Sequence, residues 1–145
     1  MQEDNRVIHV LALGAIKNPS RLTAPAKLAA IYRGIFELLE EYAPAACVLE
    51  DVFYHKNVRS TLKLGQVRGV CALAAAQMKI PVISYATRRI KKAVVGTGSA
   101  RKEQVRRMVQ SLLNLKEAPS PMDVSDALAA GITFFHDIDR KLEDI

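Results

Sequence analysis

The sequence predicts a single α/β domain over residues 1–145, with parallel strands at its centre. Short apolar segments alternate with segments of helical spacing from residue 6 to residue 86, which is the pattern of an α/β sheet. A length of 145 residues suits one domain, and a hydrophobic content of 50% is enough to bury a core. No apolar run reaches the ~18 residues of a membrane-spanning helix, and the N-terminus has no signal-peptide pattern, so we expect a soluble protein.

The first half of the chain predicts two strands separated by a helix. Residues 6–16 are rich in Val, Ile and Leu and end at a Lys-Asn-Pro turn, which favours a strand. Residues 25–42 place apolar side chains at helical intervals, and Pro44 closes that helix. Residues 46–50 form a short apolar strand that ends in the carboxylate of Glu50.

The second half predicts one more strand and four helices. Gly96 ends one of these helices, and Ser99 is a candidate N-cap for the helix that follows. The last helix starts near Ser120, with Pro121 at its first position. The predicted elements are a helix at 61–78, a strand at 82–85, a short basic helix at 87–95, a helix after Ser99 and the final helix.

The charge distribution favours nucleic acid as the partner. The formal net charge is +6, and residues 52–102 contain no Asp or Glu. A surface of one sign and this size attracts polyanions such as a phosphate backbone, although a generally solvated basic surface is the alternative. An anionic metabolite would not need so many cations. The basic residues of this acid-free stretch are Lys56, Arg59, Lys63, Arg68, Lys79, Arg88, Arg89, Lys91, Lys92, Arg101 and Lys102.

Three carboxylates are candidate metal ligands. Glu50 ends a strand, where ligands gather in α/β sheets, but an exposed carboxylate at a strand end is an equally good explanation. Asp123 and Asp126 are three residues apart and share one face of the final helix. Apolar neighbours favour a functional role for Asp126, whereas a capping box with Ser120 competes for Asp123.

The type of ligand points to the type of metal. Carboxylate oxygens without a Cys or His cluster suit Mg²⁺ or Mn²⁺ rather than zinc. A pair of such ions supports phosphodiester hydrolysis, and an acidic metal site beside a basic surface is what a nuclease needs.

Four runs of the sequence together resemble the RuvC family of Holliday-junction resolvases: residues 48–57 (VLEDVFYHKN), 62–70 (LKLGQVRGV), 94–105 (VVGTGSARKEQV) and 122–133 (MDVSDALAAGIT). The resemblance implies an RNase H-like mixed sheet flanked by helices. It also implies a homodimer that cuts four-way DNA junctions in recombination and repair with Mg²⁺, or Mn²⁺, and two ions per site. The resemblance further implies that the protein is located in the bacterial cytoplasm. Its implied partner is the branch-migration motor formed by RuvA and RuvB.

The resemblance also implies roles for single residues. Glu50 matches the second catalytic acid, Asp126 the last, and Asp123 the third, where some relatives have histidine. Phe53 matches the aromatic that stacks on junction bases, although packing in the core is as good an explanation from local sequence. Lys91 and Lys102 match basic positions linked to DNA contact and catalysis. The full predicted DNA-binding set is Phe53, Lys56, Arg59, Arg68, Arg88, Arg89, Lys91, Lys92 and Lys102.

The N-terminus departs from the family pattern. Relatives begin with a Gly-Ile-Asp-Pro-Gly strand, whose aspartate is the first metal ligand, followed by a second strand. Residues 6–16 match the third strand, so we expect an N-terminally truncated fold, and we assign neither Glu3 nor Asp4 as the first ligand. The alternative function is therefore a junction-binding protein whose catalytic site is incomplete.

Overall fold

The computed structural model describes residues 1–4, 7–51 and 57–143, with side chains up to Asp139. The chain divides into two compact units, one of residues 16–84 and one of residues 1–15 with the chain from Tyr85 onward. No helix in the described ranges is long and apolar enough to cross a bilayer. In chain order the elements are β1 (Gln2–Asp4), β2 (Val7–His9), α1 (Ala24–Tyr42), β3 (Cys47–Glu50), α2 (Val58–Gln77), β4 (Val82–Tyr85), α3 (Thr87–Val95), α4 (Lys102–Leu112) and α5 (Met122–Glu143).

The unit of residues 16–84 is built from a helix pair and a two-stranded sheet. Strands β3 and β4 pair with each other although helix α2 separates them in sequence. The backbone N–H of Cys47 donates to the carbonyl of Pro81 at 2.9 Å, just before β4 begins. Helices α1 and α2 pack together, and Leu39, Ala74 and Ala75 form their buried core. This packing sets the position of the strand that ends at Glu50.

Local sequence signals set the ends of the helices in this unit. Pro25 lies in the first turn of α1, where its missing N–H costs nothing. Ala43 ends α1 in the left-handed region, at φ 41°, and its N–H donates to the carbonyl of Leu39. Asn57 caps α2, because its side-chain oxygen accepts from Ser60 N–H at 3.3 Å. This cap starts α2 at Val58, three residues earlier than predicted.

The other unit contains a hairpin and three helices. Strands β1 and β2 pair antiparallel, with Glu3 opposite Ile8. Helices α3, α4 and α5 pack against one another. Ile132 and Thr133 of α5 are fully buried, and the Thr133 hydroxyl donates to the carbonyl of Ala129 at 2.9 Å, one helical turn earlier. The buried hydroxyl is therefore satisfied within the helix itself.

The strand predicted at residues 6–16 is wrong in extent. Within the described part of this range, residues 7–16, only Val7–His9 forms a strand, and residues 10–23 form neither helix nor strand. Leu11 and Leu13 are exposed, although the apolar composition of residues 6–16 favours a strand. A strand needs a partner for its backbone N–H and C=O groups, and β1 supplies one for three residues only. Glu3 and Asp4, which the sequence analysis did not assign as ligands, belong to β1.

Two predicted helix caps are also wrong. Gly96 does end α3 with φ 89°, but α4 begins at Lys102 rather than after Ser99. At this start the side chain of Gln104 accepts from the N–H of Arg101 at 2.7 Å. Helix α5 begins at Met122, so Ser120 lies outside the cap position. The fold thus removes the capping box that competed with a functional role for Asp123.

Burial predicts unequal effects for two neighbouring leucines of α1. Leu39 is 7% exposed and Leu38 is 43% exposed. We expect Leu39→Ala to lower the free energy of unfolding by about 2–5 kcal/mol, because it leaves a cavity between α1 and α2. Leu38→Ala, the matched control, should cost less than about 1 kcal/mol. Urea denaturation of both variants tests this, and equal losses would contradict the packing of α1.

Candidate metal and nucleic-acid site

Glu50 lies at the end of β3 and is partly buried. The next residue, Asp51, accepts from Arg68 of α2, with 2.9 Å between Arg68 Nη2 and Asp51 Oδ1. Arg68 also donates to the hydroxyl of Ser84 in β4. One guanidinium therefore connects α2 with both strand ends beside Glu50. Sequence reasoning missed Asp51, although its position directly after the predicted strand was a signal.

Asp123 and Asp126 lie in the first two turns of α5. Val124 and Ser125 between them are buried, Asp123 is exposed, and the side chain of Asp126 is 27% exposed. Lys102, at the start of α4, places its Nζ 3.4 Å from Asp126 Oδ2. The Lys102 side chain is 65% exposed, so solvent screens the pair, which contributes less than about 1 kcal/mol. Asp126 thus lies next to an exposed cation.

The positive end of α5 acts on the same carboxylates. Asp123 lies in the first helical turn, where unpaired backbone N–H groups favour negative charge. Two carboxylates one turn apart on a helix repel each other unless a cation lies between or beside them. Carboxylate oxygens are the ligands that a hard divalent cation prefers.

The cations of α3 cover one side of a short helix. Ile90 and Val94 are buried, whereas Arg88, Arg89 and Lys92 are exposed. Lys91 is half-buried. Helix α3 therefore packs on one apolar face and presents its charges on the other, as the acid-free sequence stretch predicts. Arg59, in the first turn of α2, is also exposed.

Arg89 is part of a cluster that the sequence does not reveal. Its guanidinium donates to Asp137 of α5 and lies over the ring of Tyr85, with Cζ 5.8 Å from the ring centroid. Burial, together with the hydrogen bond to Asp137 and the negative charge of this carboxylate, raises the pKa of Tyr85 to about 12. Asp137 in turn raises the pKa of Arg89. The cluster joins α3 to α5 within one unit.

The predicted site residues belong to different units. Asp123, Asp126 and Lys102 lie in one, and Glu50 lies in the other. Among the described residues no three His, Cys, Asp or Glu side chains form a group that could hold a metal ion. Phe53 and Lys56, predicted to contact DNA, lie outside the described residues.

A family model described as crossover junction endodeoxyribonuclease RuvC matches residues 1–134. The chain belongs to the RuvC family. Two RuvC relatives support this assignment. The protein of Koribacter versatilis is 44% identical over 134 residues, which cover 92% of this chain and 81% of the relative. The protein of Moorella thermoacetica is 46% identical over 122 residues, which cover 84% of this chain and 73% of the relative.

Solved RuvC structures share the fold. Thermus thermophilus RuvC superposes with a TM-score of 0.82 at 30% sequence identity, and the match covers 94% of this chain and 83% of that one. The same protein in complex with a Holliday junction substrate gives a TM-score of 0.86 over 94% of this chain and 84% of that one. The fold is therefore the RNase H-like α/β fold that the sequence motifs implied.

The raised pKa of Tyr85 predicts how stability changes at high pH. The folded state keeps the phenol proton up to about pH 12, whereas an unfolded tyrosine loses it near 10. The unfolded state then binds fewer protons, so the free energy of unfolding should fall as the pH rises from about 10 towards 12. Urea denaturation at pH 9, 10 and 11 measures the slope. Tyr85→Phe is the control and should remove this contribution; an equal slope in both proteins would contradict it.

Proposed function

We propose that this chain is a structure-selective endonuclease that resolves Holliday junctions in recombination and repair. The observation that carries the proposal is the match over 94% of the chain to a RuvC structure in complex with a Holliday junction substrate. The family model, which is described by the same endodeoxyribonuclease activity, covers residues 1–134 and favours a nuclease over a protein that only binds junctions. By family resemblance, the setting is the bacterial cytoplasm, with RuvA and RuvB as the motor partners.

Glu50, Asp123 and Asp126 are the proposed metal ligands and catalytic acids. Their carboxylate oxygens suit Mg²⁺, with Mn²⁺ as a substitute and two ions per site. When bound, the ions supply the Lewis acidity for phosphodiester hydrolysis. Asp126 lies next to Lys102 in the structure, so an ammonium group is available at the same place for a phosphate oxygen. Residues 1–145 are proposed as one nuclease domain.

Five described cations form the proposed DNA surface: Arg59, Arg88, Lys91, Lys92 and Lys102. Contacts to phosphates position the DNA but read no base sequence, so selectivity would come from the shape of the junction. Phe53 and Lys56 join this surface through the family resemblance. Arg68 and Arg89, also in the predicted set, are each paired with a carboxylate, which offsets the charge they would bring to a phosphate. Lys102 is paired as well, but its partner Asp126 is itself a proposed metal ligand.

An exposed apolar stripe on α2 supports a homodimer. Val58, Leu62, Gly65, Gly69 and Leu73 follow one another at intervals of three or four residues, and all are exposed. A Cβ added at Gly65 or Gly69 would meet no atom of the described residues within 4 Å. Helical spacing places these residues on one side of α2, and the two glycines leave room for a second helix to approach closely. We propose that a second copy of the chain packs its α2 there.

The acid assignment predicts the effect of an isosteric change. Asp126→Asn should lower the rate of Mg²⁺-dependent nicking of a four-way junction by more than about a hundredfold, because a lost ligand costs more than a lost outer-shell partner. Asp139→Asn, an Asp on the same helix beyond the site, is the matched control and should retain activity. Gel analysis of end-labelled synthetic junctions measures both rates.

The outcomes of this assay separate the two functions. Full nicking by Asp126→Asn would overturn the site assignment. Tight binding of junctions by the unaltered chain without any nicking in Mg²⁺ or Mn²⁺ would support the alternative, a binding protein with an incomplete site.

The dimer proposal predicts that a charge on the α2 stripe separates the copies. Leu62→Glu places two like charges near each other across a twofold interface, and we expect its dissociation constant to rise at least about tenfold. Leu112→Glu, at an exposed leucine of α4, is the control. Sedimentation equilibrium measures both, and an unchanged dimer in Leu62→Glu would exclude this face.

A further inference from the structure

Tyr85, Arg89 and Asp137 form a tightly coupled cluster between α3 and α5. Arg89 Nη2 donates to Asp137 Oδ1, and the guanidinium lies over the Tyr85 ring. Tyr85 is 8% exposed, and its hydroxyl interacts with Asp137 as well. One carboxylate therefore holds both a cation and a phenol, and the cation in turn contacts the face of the phenol ring.

The position of Asp137 on α5 relates the cluster to Asp126. Asp137 follows Asp126 by eleven residues, which is about three helical turns, so both carboxylates lie on the same side of α5. They are separated by about 16 Å along the axis at ~1.5 Å per residue. Helix α3 packs against α5, and its cation Arg89 is joined to Asp137. The cluster thus sets where α3 lies along the side of α5 that leads to Asp126.

Arg88 and Arg89 differ in what surrounds them although they are neighbours in sequence. Ile90 and Val94 form the buried face of α3. Arg88 and Lys92, four residues apart, lie on the side of the helix away from this face and are exposed. Arg89 is turned instead towards Asp137 and Tyr85. Of these two arginines, the structure gives Arg89 a carboxylate and an aromatic partner within the protein.

We propose that Arg89 is a positioning residue rather than a DNA contact: together with Asp137 and Tyr85 it holds α3 on α5, so that Arg88 and Lys92 face the phosphates at a set distance from Asp126. This assignment rests on the proposed function, because it concerns how the DNA-binding helix is placed. A planar guanidinium suits the task, since it donates to a carboxylate and stacks on a ring at once, which an ammonium group does less well.

The rival assignment is a direct contact between Arg89 and a phosphate. The Arg89 side chain is 51% exposed, so DNA could reach it. The two assignments differ in a measurable quantity, because each phosphate contact contributes about one unit to the slope of log Kd against log salt concentration.

The first experiment compares Arg88→Gln with Arg89→Gln in the full chain. Fluorescence anisotropy with a labelled four-way junction, at 50–300 mM KCl without divalent ions, measures the slope. We expect Arg88→Gln to lower the slope by about one and to weaken binding at 0.1 M salt by roughly five- to tenfold. Arg89→Gln should leave the slope unchanged and lower the urea midpoint, whereas Arg88→Gln should leave the midpoint unchanged.

The second experiment needs no DNA. Ultraviolet titration of the phenols should show that Asp137→Asn lowers the pKa of Tyr85, because Asp137 raises it. The double variant Arg89→Gln/Asp137→Asn should be about as stable as the less stable single variant, since both changes break one interaction. Arg89→Lys should have a urea midpoint between those of Arg89→Gln and the unaltered chain. Its junction binding should show the same salt slope as the unaltered chain. This variant also serves if Arg89→Gln does not fold.

Each outcome decides the assignment. A slope lowered by about one in Arg89→Gln, with an unchanged urea midpoint, would show a phosphate contact and overturn the proposal. An unchanged phenol titration in Asp137→Asn, or full additivity in the double variant, would show that the three residues do not act together and would also overturn it. If the unaltered chain bound no junction at all, the proposed function would fail, and the titration and midpoints would still decide whether Arg89 holds α3 on α5.

Discussion

Helix α5 is held by a face from which water is fully excluded. Ala129, Ile132 and Thr133 have no accessible surface, and Ala130 has almost none. Helices α3 and α4 pack against this helix, and the buried hydroxyl of Thr133 is satisfied inside it. Rotation of α5 about its axis would bring these groups to solvent at a large cost in free energy. The directions of Asp126 and Asp137 are therefore consequences of apolar packing.

The basic residues differ in whether a carboxylate of the chain is paired with them. Arg68 and Arg89 are paired with Asp51 and Asp137, two carboxylates that lie outside the acid-free stretch. Arg88 and Lys92 remain exposed on the outer side of α3. The effective charge that the surface offers to a polyanion is thus smaller than the number of Lys and Arg residues suggests. The paired cations hold helices and strand ends in place, and the others are available for long-range attraction.

The sequence predicts an element of this structure well when the residues that set its bounds are its neighbours in the chain, and poorly when they are distant. Helix α3 and strand β4 have their predicted bounds, because Gly96 and Pro81 act on their immediate neighbours. The strand at residues 6–16 fails beyond His9, because a ladder needs a partner that composition cannot specify. The caps assigned to Ser99 and Ser120 fail because a cap also depends on the path of the backbone.

The candidate site shows the same division. Asp126 stands out in the sequence because its neighbours are apolar, and the structure places it partly buried beside Lys102. The family motifs indicate Glu50 and Asp123, for which local sequence leaves alternatives. The pairing of Arg89 with Asp137 joins residues 48 positions apart and depends on how α3 packs on α5. No local pattern reports such a contact, which is why Arg89 looks like any other basic residue of the stretch.

The glycines of α2 affect how the stability of the fold depends on protein concentration. Each glycine inside a helix costs about 1 kcal/mol relative to alanine, so Gly65 and Gly69 make α2 intrinsically weak. Packing of a second copy on that face would offset this cost, but only in the associated state. Folding and association would then be linked by mass action, and the melting temperature would rise with the concentration of the chain. A dilute sample would lose structure under conditions in which a concentrated one keeps it.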